Sequence, residues 1–280
     1  MNIGVLGIGL IGGSFALALK KCGWAKMVFG IDHNPNHLEV AQQLQIIDDS
    51  GKLEEVLPQV DVLIIAIPVD ATREVLSQIL DLTDKQVIID AGSTKSALCA
   101  SVKQHPKRQQ YVAAHPIAGT ENSGPEAAFA ELYTGKVNII CDKNDSSTEA
   151  LALALEMFNH LQMKTHFMGA DEHDRHIAYV SHLSHISSFV LGQTVLEIEK
   201  DEKNIFNMAG SGFASTVRLA KSSPDMWSPI FVQNKAALSE ALDAYIQNLT
   251  TFKKLLDSGN PDELHRIMKE ANRIRKVLDS

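Results

Sequence analysis

The chain has 280 residues, 45% of them hydrophobic and 21% charged, with a formal net charge of −8 and a pI near 5.7. That length allows one large domain or two ordinary ones with substantial cores, and the acidic balance argues against nucleic acid or a membrane surface as partner. The three cysteines, Cys22, Cys99 and Cys141, are widely spaced and form no CxxC pair, so neither a disulfide framework nor a zinc ribbon is expected, and they read as buried thiols of a reducing compartment.

The apolar amino terminus carries glycines where a signal peptide would need a continuous hydrophobic core, and it lacks a basic leader. No apolar run is long enough for a membrane span, so the sequence places the protein in the cytoplasm.

The first predicted strand, Asn2 to Leu6, runs into Gly7-Ile8-Gly9-Leu10-Ile11-Gly12, a helical pattern follows, and a second apolar strand, Met27 to Ile31, ends at Asp32. Strand, glycine turn, helix, strand and acid in that order form a dinucleotide-binding fingerprint. Gly7 makes the tight turn, Gly9 lets a pyrophosphate approach the backbone, and Gly12 lets the helix pack close to the strand. The phosphates would then sit on free N–H groups at the helix start, where Leu10 and Ile11 stand. Asp32 lies twenty residues after Gly12, where a carboxylate accepts from both ribose hydroxyls and repels a 2′-phosphate. No arginine follows it, so the sequence specifies NAD rather than NADP.

Further strands are expected at Val62 to Ile67, Gln86 to Asp90, Tyr111 to Ala114, Val137 to Cys141 and Thr165 to Met168. Their continuous apolar character suits a sheet buried on both faces. Helical patterns at Ser14 to Cys22, Asn36 to Leu44, Ala71 to Leu80 and Thr148 to Leu161 alternate with them, giving an α/β, doubly wound Rossmann-type domain over residues 1–168. Three long helical patterns fill residues 169–280: Ala170 to Lys200, one within Pro224 to Leu256, and Pro261 to Leu278. A helix of thirty residues spans about 45 Å, too long to lie across one small domain, which predicts an all-helical second domain that pairs with a twin as a homodimer. The substrate cleft is expected between the domains.

Ligands of such sheets bind beyond the carboxyl ends of the strands. One predicted strand ends at Ile67 and Pro68, which reads as a rigid wall beside the cofactor or equally as a simple terminator. The next ends in Asp90-Ala91-Gly92-Ser93-Thr94-Lys95, where Ser93 either presents a hydroxyl to the cleft or caps a helix. A third ends in His115-Pro116, and an imidazole there can accept a proton from an alcohol as hydride leaves; the alternative is a surface or capping histidine.

In the helical half, His173, His176, His182 and His185 fall within thirteen residues. His182 and His185 share a helix face. Without a committed third ligand they suit hydrogen bonding to a small polar substrate better than zinc, so no metal is expected. A glycine-rich stretch from Gly210 delivers Arg218, whose fork matches a carboxylate or pairs with a surface acid.

Taken together, the glycine fingerprint, Asp90 to Lys95, His115 to Glu121, His173-Asp174 with Ser181 to His185, the segment from Gly212 to Arg218, and Ser223 to Trp227 resemble the prephenate/arogenate dehydrogenase family of tyrosine biosynthesis. The resemblance covers nearly the whole chain. It implies NAD-dependent oxidation of the ring alcohol of prephenate with loss of the ring carboxylate, giving 4-hydroxyphenylpyruvate. It further implies His115 as the proton acceptor and Ser93 as the residue orienting the ring hydroxyl. Arg218 would bind a substrate carboxylate, with His182 and His185 lining the pocket and Thr120, Glu121 and Trp227 at its edge. Ala214 and Ser215 replace the acidic residue that family members often carry before the arginine, which leans the substrate towards prephenate over arogenate. The end at Ser280 leaves no room for a mutase segment or regulatory domain, so tyrosine inhibition would act at the active site. The competing readings are a dehydrogenase of the 3-hydroxyacid or pyrroline-carboxylate type and a non-catalytic NAD sensor. The first needs a helical-domain lysine with no clear counterpart here, and the second leaves Ser93 and His115 idle.

Overall fold

A computed structural model describes residues 1–200 and 204–278. Strands β1 (Asn2–Leu6), β2 (Met27–Ile31), β3 (Asp49–Ser50), β4 (Val62–Ile65), β5 (Val87–Asp90), β6 (Tyr111–Pro116), β7 (Val137–Cys141) and β8 (Lys164–Met168) form one sheet. Their order is β3-β2-β1-β4-β5-β6-β7-β8, the doubly wound arrangement that brings the carboxyl ends of β1, β4, β5 and β6 to one edge. Helices α1 (Leu10–Lys21), α2 (Pro35–Gln43), α3 (Leu53–Val56), α4 (Val69–Leu82), α5 (Ser96–Val102) and α6 (Thr148–His160) connect them.

Period-two alternation divides the strand side chains between two cores. Ile3, Val5, Val62 and Ile64 pack with Phe15, Leu19 and Phe158 on one face, and Leu63, Ile65 and Ile88 pack with Leu76, Ile79, Leu80 and Leu98 on the other. Phe15 stacks on Tyr133 with ring centroids 4.3 Å apart, and the Tyr133 hydroxyl donates to the Ile11 carbonyl at 2.7 Å. That bond reaches the first turn of α1 and holds it in place.

Three features differ from the sequence expectation. Helix α1 starts at Leu10 rather than Ser14, because Gly12 and Gly13, poor helix formers alone, are the residues that let this helix press against β1. Strand β7 runs antiparallel to β6. The chain between them carries only a short 3₁₀ turn at Pro125–Ala127, and without a crossover helix it returns in the opposite direction. Strand β8 lies at the sheet edge and is half exposed, with Phe167 42% accessible.

From Ala170 the described chain is helical: α7 (Ala170–Ile177), a π turn (Ala178–His182), α8 (Leu183–Glu199), α9 (Ser211–Thr216), α10 (Pro224–Gln233), α11 (Lys235–Asp257), α12 (Pro261–Ala271) and α13 (Arg275–Leu278). The expected helix from Ala170 to Lys200 is thus continuous in direction but widened by one π turn, a feature common at functional sites. The second pattern breaks at Asn234, whose backbone (φ −99°, ψ 24°) leaves helical values between α10 and α11. Val69 at the start of α4 packs with Trp227 and Ile230 of α10 in a small third core. The two halves are also tied by the Thr94 hydroxyl donating to Gln233 Oε1 at 2.9 Å.

Candidate active site

The glycine loop is shaped by close approach. Gly7 has φ +95°, and a Cβ there would lie 2.6 Å from the Ala66 carbonyl oxygen; a Cβ on Gly12 would lie 2.0 Å from the Gly7 oxygen. A Cβ on Gly9 would meet nothing within 4 Å, so this backbone faces open space at the start of a twelve-residue helix. The cradle fits a dinucleotide: bare backbone, room beside it, and the positive end of a helix dipole. Asp32 stands at the end of β2 with its side chain 5% exposed. It accepts from Ile8 N–H at 2.8 Å and Asn34 N–H at 2.9 Å, with His37 Nδ1 3.4 Å away. The carboxylate therefore braces the loop through Ile8 as well as standing where a ribose would be read. Ile67 packs over Gly7, and exposed Pro68 caps α4, its carbonyl accepting from Thr72 N–H at 2.9 Å.

Beneath the next strand end lies a network not foreseen from the sequence. Asp90 and Lys95 are both fully buried and ion-paired. Lys95 Nζ also donates to the Ala114 carbonyl at 2.7 Å, the Tyr111 hydroxyl donates to Asp90 at 2.9 Å, and Gly92 N–H donates to Asp90 at 2.7 Å. Burial, then the Asp90 carboxylate, pushes the Tyr111 phenol well above its ordinary range, so it remains a donor. These bonds pin the turn that carries Ser93. Ser93 is half-buried and its hydroxyl has no hydrogen-bond partner among the described residues. Strands β5 and β6 are parallel neighbours with Asp90 opposite Ala113, so Ser93 and His115 leave adjacent strand ends on the same edge.

His115 is 8% exposed. Its Nδ1 lies 2.8 Å from His173 Nε2, and His173 Nδ1 lies 2.8 Å from Asp174 Oδ1. Asp174 also accepts from Lys95 N–H at 2.8 Å and Ser96 N–H at 2.9 Å, where α5 begins. Burial, then His173 and the Lys95 ammonium, hold the His115 imidazole well below its ordinary range, so it is neutral at pH 7. Burial alone would raise Asp174, but the His173 N–H and the two backbone donors outweigh it and keep the carboxyl below its usual range.

His185 stacks on Trp227 with ring centroids 3.5 Å apart and donates from Nδ1 to the Ser181 carbonyl at 3.0 Å. Burial lowers its pKa, and nearby Arg218 lowers it further. His182 differs from its expected place: it is fully buried, in T-shaped contact with Trp227 and Phe231, rather than open to the cleft. The Asn234 side-chain amide donates to it at 3.1 Å and to the Asp174 carbonyl at 2.7 Å. Burial pushes the His182 pKa down to about 4. Trp227 is likewise 7% exposed, a wall rather than a rim. Arg218, in a 3₁₀ turn, pairs with Glu121 Oε2 at 3.3 Å, with side chains 53% and 34% exposed. This pair joins the helical half to the loop after β6, where Thr120 is exposed and its hydroxyl accepts from Asn122 N–H at 3.2 Å.

A dinucleotide cradle beside a neutral histidine at a strand mouth makes the molecule, in class, an NAD-dependent dehydrogenase. Comparison with known proteins narrows the class. Residues 15–167 match the family model for the prephenate dehydrogenase nucleotide-binding domain, and residues 169–270 match that for its dimerization domain. The chain belongs to the prephenate dehydrogenase family. It is 31% identical to the prephenate dehydrogenase of Bacillus subtilis over 97% of this chain and 74% of that one. It is 29% identical to the cyclohexadienyl dehydrogenase of Zymomonas mobilis over 99% and 96% of the two chains. The crystal structure of Aquifex aeolicus prephenate dehydrogenase with hydroxyphenyl propionate and NAD⁺ superimposes with a TM-score of 0.92 at 30% identity, covering 99% of this chain and 98% of that one.

The residues that sequence reasoning missed are Asp90, Lys95 and Asn234, and it placed His173 and Asp174 in a histidine cluster without linking them to His115. A lysine five residues after a strand-ending aspartate is a usable signal for a buried pair. Nothing local to Asn234 marks it, because its partners lie 60 and 52 residues away.

Proposed function

We propose that the chain oxidises prephenate with NAD and releases the ring carboxylate as carbon dioxide, giving 4-hydroxyphenylpyruvate. One observation carries the reading: a neutral His115 at the mouth of β6 whose Nε2 has no hydrogen-bond partner among the described residues, on the same sheet edge as Ser93 and the glycine cradle. Gly7, Gly9 and Gly12, with the backbone of Leu10 and Ile11, would hold the pyrophosphate; Asp32 would take the adenosine ribose, and Ile67 and Pro68 would flank the nicotinamide side. When bound, NAD supplies the hydride acceptor. His115 Nε2 takes the proton of the ring hydroxyl, and the Ser93 hydroxyl orients that group. Arg218 offers its fork to a substrate carboxylate, which competes with Glu121 for it. His182, His185, Trp227 and Thr120 complete the helical wall and edge. As the ring carbon becomes carbonyl-like, the carboxylate leaves and the ring becomes aromatic, so the protein must supply mainly positioning and one base.

Prephenate is favoured over arogenate because an ammonium-bearing side chain calls for a carboxylate. In the stretch before Arg218 the chain carries Ser215, whose hydroxyl donates to the Gly212 carbonyl at 2.9 Å. The reading includes a division into a nucleotide-binding domain at 1–168 and a helical substrate domain at 169–280, supported by the end of the sheet at Met168. It includes a homodimer through the helical half, supported by the match of residues 169–270 to the family's dimerization domain and by Leu196, Ile246, Leu249, Leu256 and Met268, each about half exposed. It also includes a cytoplasmic location, supported by three unpaired cysteines; no helix among the described residues is long and apolar enough to cross a membrane.

The test is NADH formation by the purified chain with prephenate and, separately, with arogenate, alongside His115→Asn. Turnover of prephenate that falls by about 100-fold or more in the variant, as expected for loss of a general base, is the anticipated result. Near-normal kcat in His115→Asn removes it as the base, and turnover of arogenate alone overturns the substrate assignment.

A further inference from the structure

With His173 neutral, the polar groups behind His115 are satisfied in one sequence of protons. The Asp174 carboxylate already accepts from Lys95 N–H and Ser96 N–H and sits below the carboxylate range, so it is an acceptor. The His173 Nδ1 that faces it at 2.8 Å must therefore carry a proton. A neutral His173 then has a lone pair at Nε2, and the His115 Nδ1 facing that atom at 2.8 Å must donate. The neutral His115 is left with its lone pair on Nε2, the nitrogen free to meet a hydroxyl.

We propose that His173 and Asp174 are positioning residues that fix the proton-accepting tautomer of His115 and share the positive charge it acquires. The inference rests on His115 being the base. As the ring hydroxyl passes its proton to Nε2, His115 becomes an imidazolium that keeps its Nδ1 proton and directs it at His173 Nε2. His173 in turn directs its Nδ1 proton at Asp174, which remains ionised. The need for such support is visible in the surroundings: His115 is buried near the Lys95 ammonium and His182, and a lone imidazole there would resist becoming charged.

The arrangement also couples the two halves of the chain. Asp174 belongs to α7, yet two of its acceptor contacts are the amides that open α5, and its own carbonyl accepts from Asn234 at 2.7 Å. Closing the helical half on the sheet thus sets the tautomer at the strand mouth.

The first measurement uses the unsubstituted protein. Its ¹⁵N-histidine NMR spectrum at pH 7.5, with the His115 signals assigned by their loss in His115→Asn, should show Nδ1 protonated and Nε2 unprotonated; the reverse pattern overturns the proposal without recourse to a destabilised variant. In Asp174→Asn an amide oxygen at the Oδ1 position still accepts from Lys95 N–H and His173 Nδ1, so the variant keeps the tautomer and removes the carboxylate charge that shares the imidazolium's. The expected result is a kcat lower by about tenfold or more, with the KM for prephenate and the affinity for NAD within about threefold and the His115 signals in the parent's pattern. Asp174→Glu should recover part of the loss. Turnover of Asp174→Asn within threefold of the parent, or a loss confined to NAD and prephenate binding, overturns the relay while leaving His115 as base. Full activity in His115→Asn would instead sink the base assignment itself.

Discussion

The floor and the rim of the cleft are built on opposite principles. At the floor, Asp90, Lys95, Asp174 and His173 are at most 5% exposed and each has its donors and acceptors matched. At the rim, Arg218 and Glu121 are substantially exposed and joined by one contact of 3.3 Å. Charges buried at the floor are costly unless saturated, and saturation makes them rigid. The exposed rim pair has water as an alternative partner, so it can exchange Glu121 for an incoming carboxylate at small cost. On the proposed reading, position is set where the proton would move, and adaptability is kept where the substrate would enter.

The strongest way to break this contrast is at Lys95. Lys95→Met removes the ammonium and leaves the Asp90 carboxylate buried with only the Tyr111 hydroxyl and Gly92 N–H. Leaving one member of a buried pair uncompensated costs about 3–5 kcal/mol, so urea unfolding at pH 7 should lose that much stability, and adding Asp90→Asn should restore part of it. A loss below 1 kcal/mol would mean that the floor is not held by this network.

Arg218→Gln tests the other pole. An exposed pair contributes little to stability, so unfolding should shift by less than about 0.5 kcal/mol. The KM for prephenate should rise roughly 10- to 100-fold, the equivalent of a charge-assisted contact of about 1.5–3 kcal/mol, with kcat changed far less. Salt should raise the parent's KM in the same direction. An unchanged KM would leave Arg218 as a surface partner of Glu121 only.

The same division explains what the sequence disclosed. The glycine loop, Asp32, Ser93 and His115 were legible because each lies at a strand end in a local pattern whose geometry is fixed by a few neighbouring residues. Five of the first six strands were legible as apolar runs, whereas the two-residue β3 (Asp49–Ser50) has no apolar run to mark it, and the antiparallel turn at β7 was hidden because only the missing crossover helix announces it. The floor was illegible for a different reason. Asp174 meets Lys95 and Ser96 across 79 and 78 residues, and His115 meets His173 across 58, so their roles exist only once the helical half has docked. His182 was placed on one helix face with His185 by spacing and in the pocket by the family resemblance, but neither fixes its depth of burial. Trp227 and Phe231, from α10, decide that.

Asp32 lies between the two regimes and gives the smallest effect. Its side chain is as buried as the floor residues, yet on the proposed reading it would recognise a mobile cofactor, and it also braces the loop through Ile8 N–H at 2.8 Å. Replacing it with alanine would confuse these two duties. Asp32→Asn separates them, because the amide oxygen can still accept from Ile8, with the Asn34 N–H losing its acceptor, while the charge that repels a 2′-phosphate is gone. The ratio of kcat/KM for NAD over NADP should fall by about tenfold, close to 1.4 kcal/mol, with the melting temperature lowered less than in Asp32→Ala. Asp32→Ala should lose both discrimination and loop order, lowering kcat/KM for either cofactor. An unaltered NAD preference in Asp32→Asn would mean that the ribose is read elsewhere, and that this carboxylate belongs with the floor as a brace alone.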